Sequence, residues 1–155
     1  MNIQPPSLYN HIKGLGDLHH GLMLYGWRNM EEQMLEAAVD ISGYVAREAI
    51  CRAFYRYATE NPGVFSAMLW HNMYQDDETL SVTQRQFSRC YQITTALGIS
   101  EENCNHMIRT FRAFLEGFCL LVNNHSFGCN LLPVEDSFNL ALRVLIDEMK
   151  ELEGK

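Results

Sequence analysis

The chain has 155 residues and a formal net charge of −7, and it is 47% hydrophobic and 20% charged, with ten glycines and four prolines. These values are typical of one folded domain and exclude a disordered or collagen-like chain. No apolar run approaches the roughly 18–20 residues of a membrane-spanning helix, and residues 1–7 have no basic or apolar region of a secretory signal. We therefore expect a cytoplasmic protein without membrane contact, whose acidic balance argues against a non-specific nucleic-acid coat.

Hydrophobic periodicity predicts an all-α chain of about seven helices, because strand alternation and hairpin turns are nearly absent. The proline before residues 7–12 favours a short first helix, and glycines 14 and 16 end it. The remaining predicted helices are residues 17–39, 44–59 and 64–70, a helix from the acidic loop 75–77 to about residue 97, residues 101–123, and a last helix opening at Pro133.

Local signals within these helices predict which faces are buried and where helices begin. Met23, Trp27, Met30 and Met34 recur at steps of three and four, so this stripe should be buried. The acidic run 76–78 superficially resembles a magnesium motif of all-α prenyl-converting enzymes, but the usual second acidic cluster is missing. We interpret it as a helix N-terminal cap.

Motifs of catalysis, metal binding and cofactor binding are absent from the sequence. The six histidines have no ligand spacing typical of a metal site, and no P-loop, G-x-S-x-G or G-x-G-x-x-G motif occurs. The five cysteines are scattered without a C-x-x-C pair, which favours free, buried thiols. We therefore expect neither an enzyme nor a cofactor or metal ion.

Two stretches resemble the TetR family of transcriptional regulators. Residues 3–18 contain the run Leu8-Tyr9-Asn10-His11-Ile12 and resemble that family's recognition helix and the start of the next helix. Residues 54–65, together with 112–118 and 133–138, resemble the ligand-binding half of a subgroup of the family.

The resemblance implies a regulator with a helix-turn-helix head, a ligand pocket among the middle helices, and a homodimer formed by the last two helices. Residues 1–16 would be the end of the head and 17–155 the ligand-binding and dimerisation domain. A complete head needs about 30 further residues, as two helices of ordinary length, so the gene start is mis-assigned, the chain is a fragment, or it is a natural truncation. Five positions match the family's recognition helix and would contact operator DNA only in a complete head. They are Ser7, Tyr9, Asn10, His11 and Lys13.

The inward stripes of the middle helices, rich in methionine and aromatic residues, suggest a pocket for a small apolar or aromatic effector. The candidates for ligand contact are Trp27, Met30, Phe54, Met68, His71, Phe87, Tyr91, Met107 and Phe114. His71 and Tyr91 would provide the polar contacts. A ligand there would shift the helix that follows the recognition helix and so change the spacing of the two heads.

The helix of residues 101–123 is apolar on two sides. A single chain would not need both sides, and a two-fold partner would cover one of them, which favours a dimer. The candidates for the dimer interface are Ile108, Phe111, Leu115, Phe118, Val122, Phe138, Leu142, Leu145 and Met149. The alternative function is a stand-alone small-molecule-binding or dimerisation module without DNA binding.

Overall fold

Helices form most of residues 14–128 and 131–155, which are the residues that the computed structural model describes. This part of the chain contains no strand beyond an isolated bridge between Ile99 and Glu153, so the all-α prediction is confirmed. The α-helices are α1 (Leu15–Glu36), α2 (Gly43–Glu60), α3 (Pro62–Met68), α4 (Asp77–Thr95), α5 (Glu101–Asn123) and α6 (Val134–Glu151), and a 3-10 turn (His71–Met73) lies between α3 and α4.

Several helix ends follow the local signals of the sequence, but Gly16, which was expected to end the first helix, lies inside α1. Pro62 occupies the first turn of α3, where its missing N–H is not needed. Asp76 caps α4, because its carboxylate accepts a hydrogen bond from the backbone N–H of Thr79 at 2.9 Å. The interpretation of the acidic run as a helix cap is confirmed. Gly98 adopts a φ of +75° in the turn between α4 and α5, a conformation that favours glycine.

Helix α1 packs against α2, α3 and α4. Helix α5 packs against α2 and α4, and α6 covers α2 and α5. The predicted stripe on α1 is buried: Met23, Trp27, Met30 and Met34 all face the core. Each such side chain contributes about 1.5–3 kcal/mol through removal from water. The period of the sequence therefore identified the inner face of α1 correctly.

A group of aromatic rings joins α2, α5 and α6. Tyr55 and Phe138 stack with ring centroids 4.1 Å apart, and Phe114 stacks on Phe138 at 5.5 Å. Phe118 contacts both Tyr55 and Phe138. Offset and edge contacts of this kind stabilise a fold by more than their buried area alone would. They therefore hold α6 against α2 and α5 of its own chain.

The described cysteines are free thiols, as expected. Cys51, Cys104 and Cys119 are also buried, as predicted, whereas Cys90 is half-buried. Cys129 lies outside the described residues, as do the recognition-helix positions 7–13 and most of the predicted segment 1–16. None of the described helices has the length and apolar character required to cross a bilayer.

Candidate ligand-binding cavity

A cavity of about 90 Å³ opens between α1, α2, α4 and α5, with the 3-10 turn at one side. The lining residues are Trp27, Met34, Arg47, Ile50, Cys51, Phe54, His71, Thr83, Gln86, Phe87, Cys90, Ile108, Phe111, Arg112, Leu115 and Glu116.

One face of α2 forms the floor of the cavity. Arg47, Ile50, Cys51 and Phe54 follow the spacing i, i+3, i+4, i+7, which places them on the same side of a helix. Burial raises the pKa of the Cys51 thiol to about 12. That thiol is therefore protonated and uncharged at neutral pH.

A polar group forms one rim of the cavity. Nε of Arg112 donates a hydrogen bond to Oε1 of Glu116 at 2.7 Å. Nη2 of the same arginine lies 3.5 Å from Nε2 of His71. Nδ1 of His71 lies 3.3 Å from the carbonyl oxygen of Met68, which can only accept, so Nδ1 carries a proton. The rings of His71 and Trp27 are nearly perpendicular, with centroids 5.8 Å apart. The rim therefore joins α5, the 3-10 turn and α1.

The beginning of α1 is tied to the segment beside the cavity by a second polar group. Nδ1 of His19 lies 2.8 Å from the hydroxyl of Tyr74, whose ring stacks on His20 at 4.4 Å. Nε2 of His20 lies 2.8 Å from the hydroxyl of Thr79, which itself donates to Asp76 at 2.7 Å. The first two turns of α1 are thus linked to the start of α4.

The structure brings four of the nine predicted ligand contacts together around the cavity: Trp27, Phe54, His71 and Phe87. Met30, Met68 and Met107 are buried in the core but do not line the cavity, and Tyr91 is half-buried beside it on α4. Phe114 belongs to the aromatic group between α2, α5 and α6.

Most of the predicted interface residues face the interior of their own chain. Ile108, Phe111 and Leu115 line the cavity. Phe138, Leu142 and Met149 are buried under α2 and α5, and Phe118, Val122 and Leu145 are half-buried. Side chains that one chain already covers are not free for a partner, whereas the three half-buried residues remain partly accessible.

Apart from His71, sequence reasoning missed the polar lining, above all Arg47. A usable signal existed, because Arg47 is the first residue of the stripe that continues with Ile50 and Phe54. A charge on an otherwise apolar helical face is rarely buried without a purpose. The other missed residues, such as Thr83 and Gln86, have no comparable signal in the sequence.

No group of three or more His, Cys, Asp or Glu side chains within the described ranges could hold a metal ion. The cavity instead combines apolar walls with a few polar groups, as sites for small organic molecules do.

Comparison with known proteins agrees with this architecture. The model of the family described as "Tetracyclin repressor-like, C-terminal domain" matches residues 48–145, more than half of the chain. The HTH-type transcriptional regulator YobS of Bacillus subtilis (strain 168) is 31% identical over 128 residues, which are 82% of this chain and 66% of that protein. The match thus spans just under two thirds of this relative's length. The chain belongs to the TetR family and carries that family's tetracycline-repressor-like C-terminal domain.

Proposed function

We propose that this chain is the sensing and dimerisation part of a TetR-like transcriptional repressor whose effector is a small molecule with an apolar or aromatic body. The observation that carries the proposal is the cavity whose wall includes Trp27 and Met34 of α1. In the resemblance to the family, α1 follows the recognition helix, so a ligand that contacts Trp27 acts on the element that would position the head. The name of the relative in Bacillus subtilis agrees with this role.

The proposed link from the cavity to the head runs from His71 through the segment after it to the start of α1. His71 contacts both the cavity and Trp27, and the following residues lead to Tyr74, which lies against His19 and His20 at the start of α1. A ligand that displaces His71 would move this contact and with it the first turn of α1. It shifts the equilibrium between two arrangements only if it binds one of them more tightly.

Operator binding belongs to the proposed longer protein. There, Ser7, Tyr9, Asn10, His11 and Lys13 would contact phosphates and base edges, because they match the family's recognition helix. Gel-shift titration of a protein extended by the upstream reading frame tests this part. A complete head that does not retard any DNA from its own promoter region would leave the stand-alone ligand-binding module as the function.

We further propose a homodimer formed by the outer faces of α5 and α6. Ala113, Gly117 and Leu121 lie at steps of four along the outer side of α5, and Leu140 and Val144 do so on α6. These residues are small or apolar and are exposed or half-buried in one chain. A two-fold axis would place each such face against its own copy, which removes both from water.

A pair of matched variants tests ligand binding in the cavity. Thr83 and Thr95 lie on the same helix, and the hydroxyl of each donates to the carbonyl four residues earlier, but only Thr83 lines the cavity. We expect Thr83→Trp to fill the cavity mouth and Thr95→Trp to leave it open.

The measurement is the rise in melting temperature that a panel of small aromatic and aliphatic compounds produces. Compounds that stabilise the wild type should stabilise Thr95→Trp equally and Thr83→Trp not at all. Equal stabilisation of both variants would show that the compounds bind elsewhere and would contradict the sensor proposal.

A further inference from the structure

Arg47 is a charged side chain almost completely removed from water. It is 3% exposed, it lines the cavity, and its guanidinium lies over the ring of Phe111 at 4.4 Å from the centroid. A guanidinium keeps its proton in proteins, so the cavity wall contains a permanent positive charge.

This charge has no counter-ion among the described residues. The nearest candidates along the chain and in the cavity are already engaged: Glu48 pairs with Arg52 at 2.7 Å and Glu116 pairs with Arg112 at 2.7 Å. Cys51 and Cys104 lie near Arg47, but burial raises the pKa of both thiols, so neither supplies an anion. The ring face of Phe111 compensates only part of the lost hydration.

Two donors in the cavity wall lack an acceptor within the part of the chain that the structure describes. The Nε of Arg47 and the Nε1 of Trp27 are both buried without a hydrogen-bond partner. Neither group can accept a hydrogen bond, and a buried donor without an acceptor is costly to folding. An incoming molecule that satisfied them would have to bring acceptor atoms.

The charges of the lining residues also indicate the sign of the charge that a ligand would carry. Arg47 and Arg112 are the cationic residues of the lining, and Glu116 is its one carboxylate, already bound to Arg112. The lining therefore carries one positive charge in excess, which a single anionic group would neutralise.

We infer that the effector is a small organic monoanion whose carboxylate is bound by Arg47 and whose apolar body lies among Ile50, Phe54 and Phe87. The inference rests on the proposed function and specifies its ligand class. Arg47 forms charge-assisted hydrogen bonds to the carboxylate, with two parallel N–H···O contacts as its fork geometry favours. The cavity of about 90 Å³ is smaller than the roughly 150 Å³ of a cavity that binds benzene, so the apolar body of the ligand is at most a single ring or a short chain.

Calorimetric titration with matched pairs of probes tests the inference. Benzoate and benzamide have nearly the same shape but differ in charge, and hexanoate and hexanamide form an aliphatic pair. We expect the wild type to bind at least one carboxylate at least tenfold more tightly than its amide, which corresponds to about 1.4 kcal/mol. Equal affinities for carboxylate and amide in both pairs, or no carboxylate binding, would overturn the inference.

Variants of Arg47 assign the preference to this side chain. Arg47→Met retains a linear apolar stem against Phe111 and should abolish the preference, with the carboxylate falling to the affinity of the amide. Arg47→Lys keeps the positive charge and serves as the second test if the methionine variant does not fold. It should weaken carboxylate binding severalfold, because an ammonium lacks the planar fork of a guanidinium. An undiminished preference in Arg47→Met, or unchanged carboxylate affinity in Arg47→Lys, overturns the assignment.

The Thr83→Trp variant separates failure of this inference from failure of the proposed function. If the amides bind as well as the carboxylates and Thr83→Trp abolishes their binding, the cavity accepts ligands and only the anionic class is wrong. If Thr83→Trp leaves the binding of every probe unchanged, the probes bind outside the cavity, which contradicts both.

Discussion

Gly26 allows α1 and α3 to approach each other closely. A Cβ atom at this position would lie 2.6 Å from both Sδ of Met68 and Cγ1 of Val64. Met68 is buried, so its side chain has no space into which it could withdraw. The contact between the two helices therefore depends on the missing side chain of one residue, and overpacking such a contact destabilises a protein.

Gly26→Ala should lower the free energy of unfolding by about 1–3 kcal/mol through this overlap. Gly21→Ala is its control on the same helix, because an added Cβ there meets nothing within 4 Å. The control should gain up to about 1 kcal/mol from helix propensity. Urea denaturation followed by circular dichroism measures both, and similar gains in the two variants would disprove the close approach.

At the scale of the element, the beginning of α4 depends on one cap that also contacts α1. Asp76 accepts from the backbone N–H and the hydroxyl of Thr79, and its Oδ2 lies 3.1 Å from Nε2 of His20. These hydrogen bonds to Thr79 lower the pKa of Asp76 below its ordinary value of 3.8, and His20 adds to this effect. The carboxylate form is therefore the one that the fold stabilises.

Asp76→Ala should lower the melting temperature at pH 7 by roughly 2–4 °C, the shift expected for the loss of one helix cap in a chain of this size. Asp77→Ala, which removes an exposed acidic residue from the first turn of α4, should have a smaller effect. Differential scanning calorimetry measures the melting temperatures of both variants. Equal losses would mean that only the negative charge near the start of the helix matters.

The lowered pKa of Asp76 also predicts how this difference depends on pH. Because the folded-state pKa lies below 3.8, the stabilisation is fully present above that value and is lost as the pH falls through the lowered pKa. The melting-temperature difference between wild type and Asp76→Ala should stay constant from pH 7 to pH 5 and shrink below pH 3.8. A difference that already disappears near pH 6 would show that ionisation of the Asp76 carboxylate is not its cause.

At the scale of the whole molecule, α5 and α6 have inner and outer faces with different roles. The inner faces cover the cavity and the aromatic group around Phe138, whereas Leu121 and Val144 point outward. The interface proposed for the homodimer therefore has to be tested on the outer faces, since changes on the inner ones would disturb the fold of a single chain.

Leu121→Glu should convert the proposed dimer into a folded monomer, because four-helix packing would bury the new carboxylate without a partner. Leu80→Glu on α4 is the control, since Leu80 and Leu121 are 39% and 42% exposed in one chain. Light scattering gives the mass and circular dichroism the helix content. A wild-type monomer, or a Leu121→Glu variant that remains dimeric, would contradict this interface.

Sequence and structure agree best where the signal is local. The bounds of α5 were predicted to the residue, and the buried stripe of α1 was predicted from the recurrence of Met23, Trp27 and Met30. The cap at Asp76 was also identified, because it acts on a backbone group a few residues away.

The sequence by itself determined the all-α class, the helix order and the family resemblance, since these depend on spacings of three and four residues and on short motifs. Only the tertiary structure decided which of the two apolar sides of α5 is covered by its own chain, and it placed Phe111 in the cavity wall. It also decided that Arg47 is buried without a counter-ion. Burial and pairing depend on the angles between helices distant in sequence, and no local pattern encodes those angles.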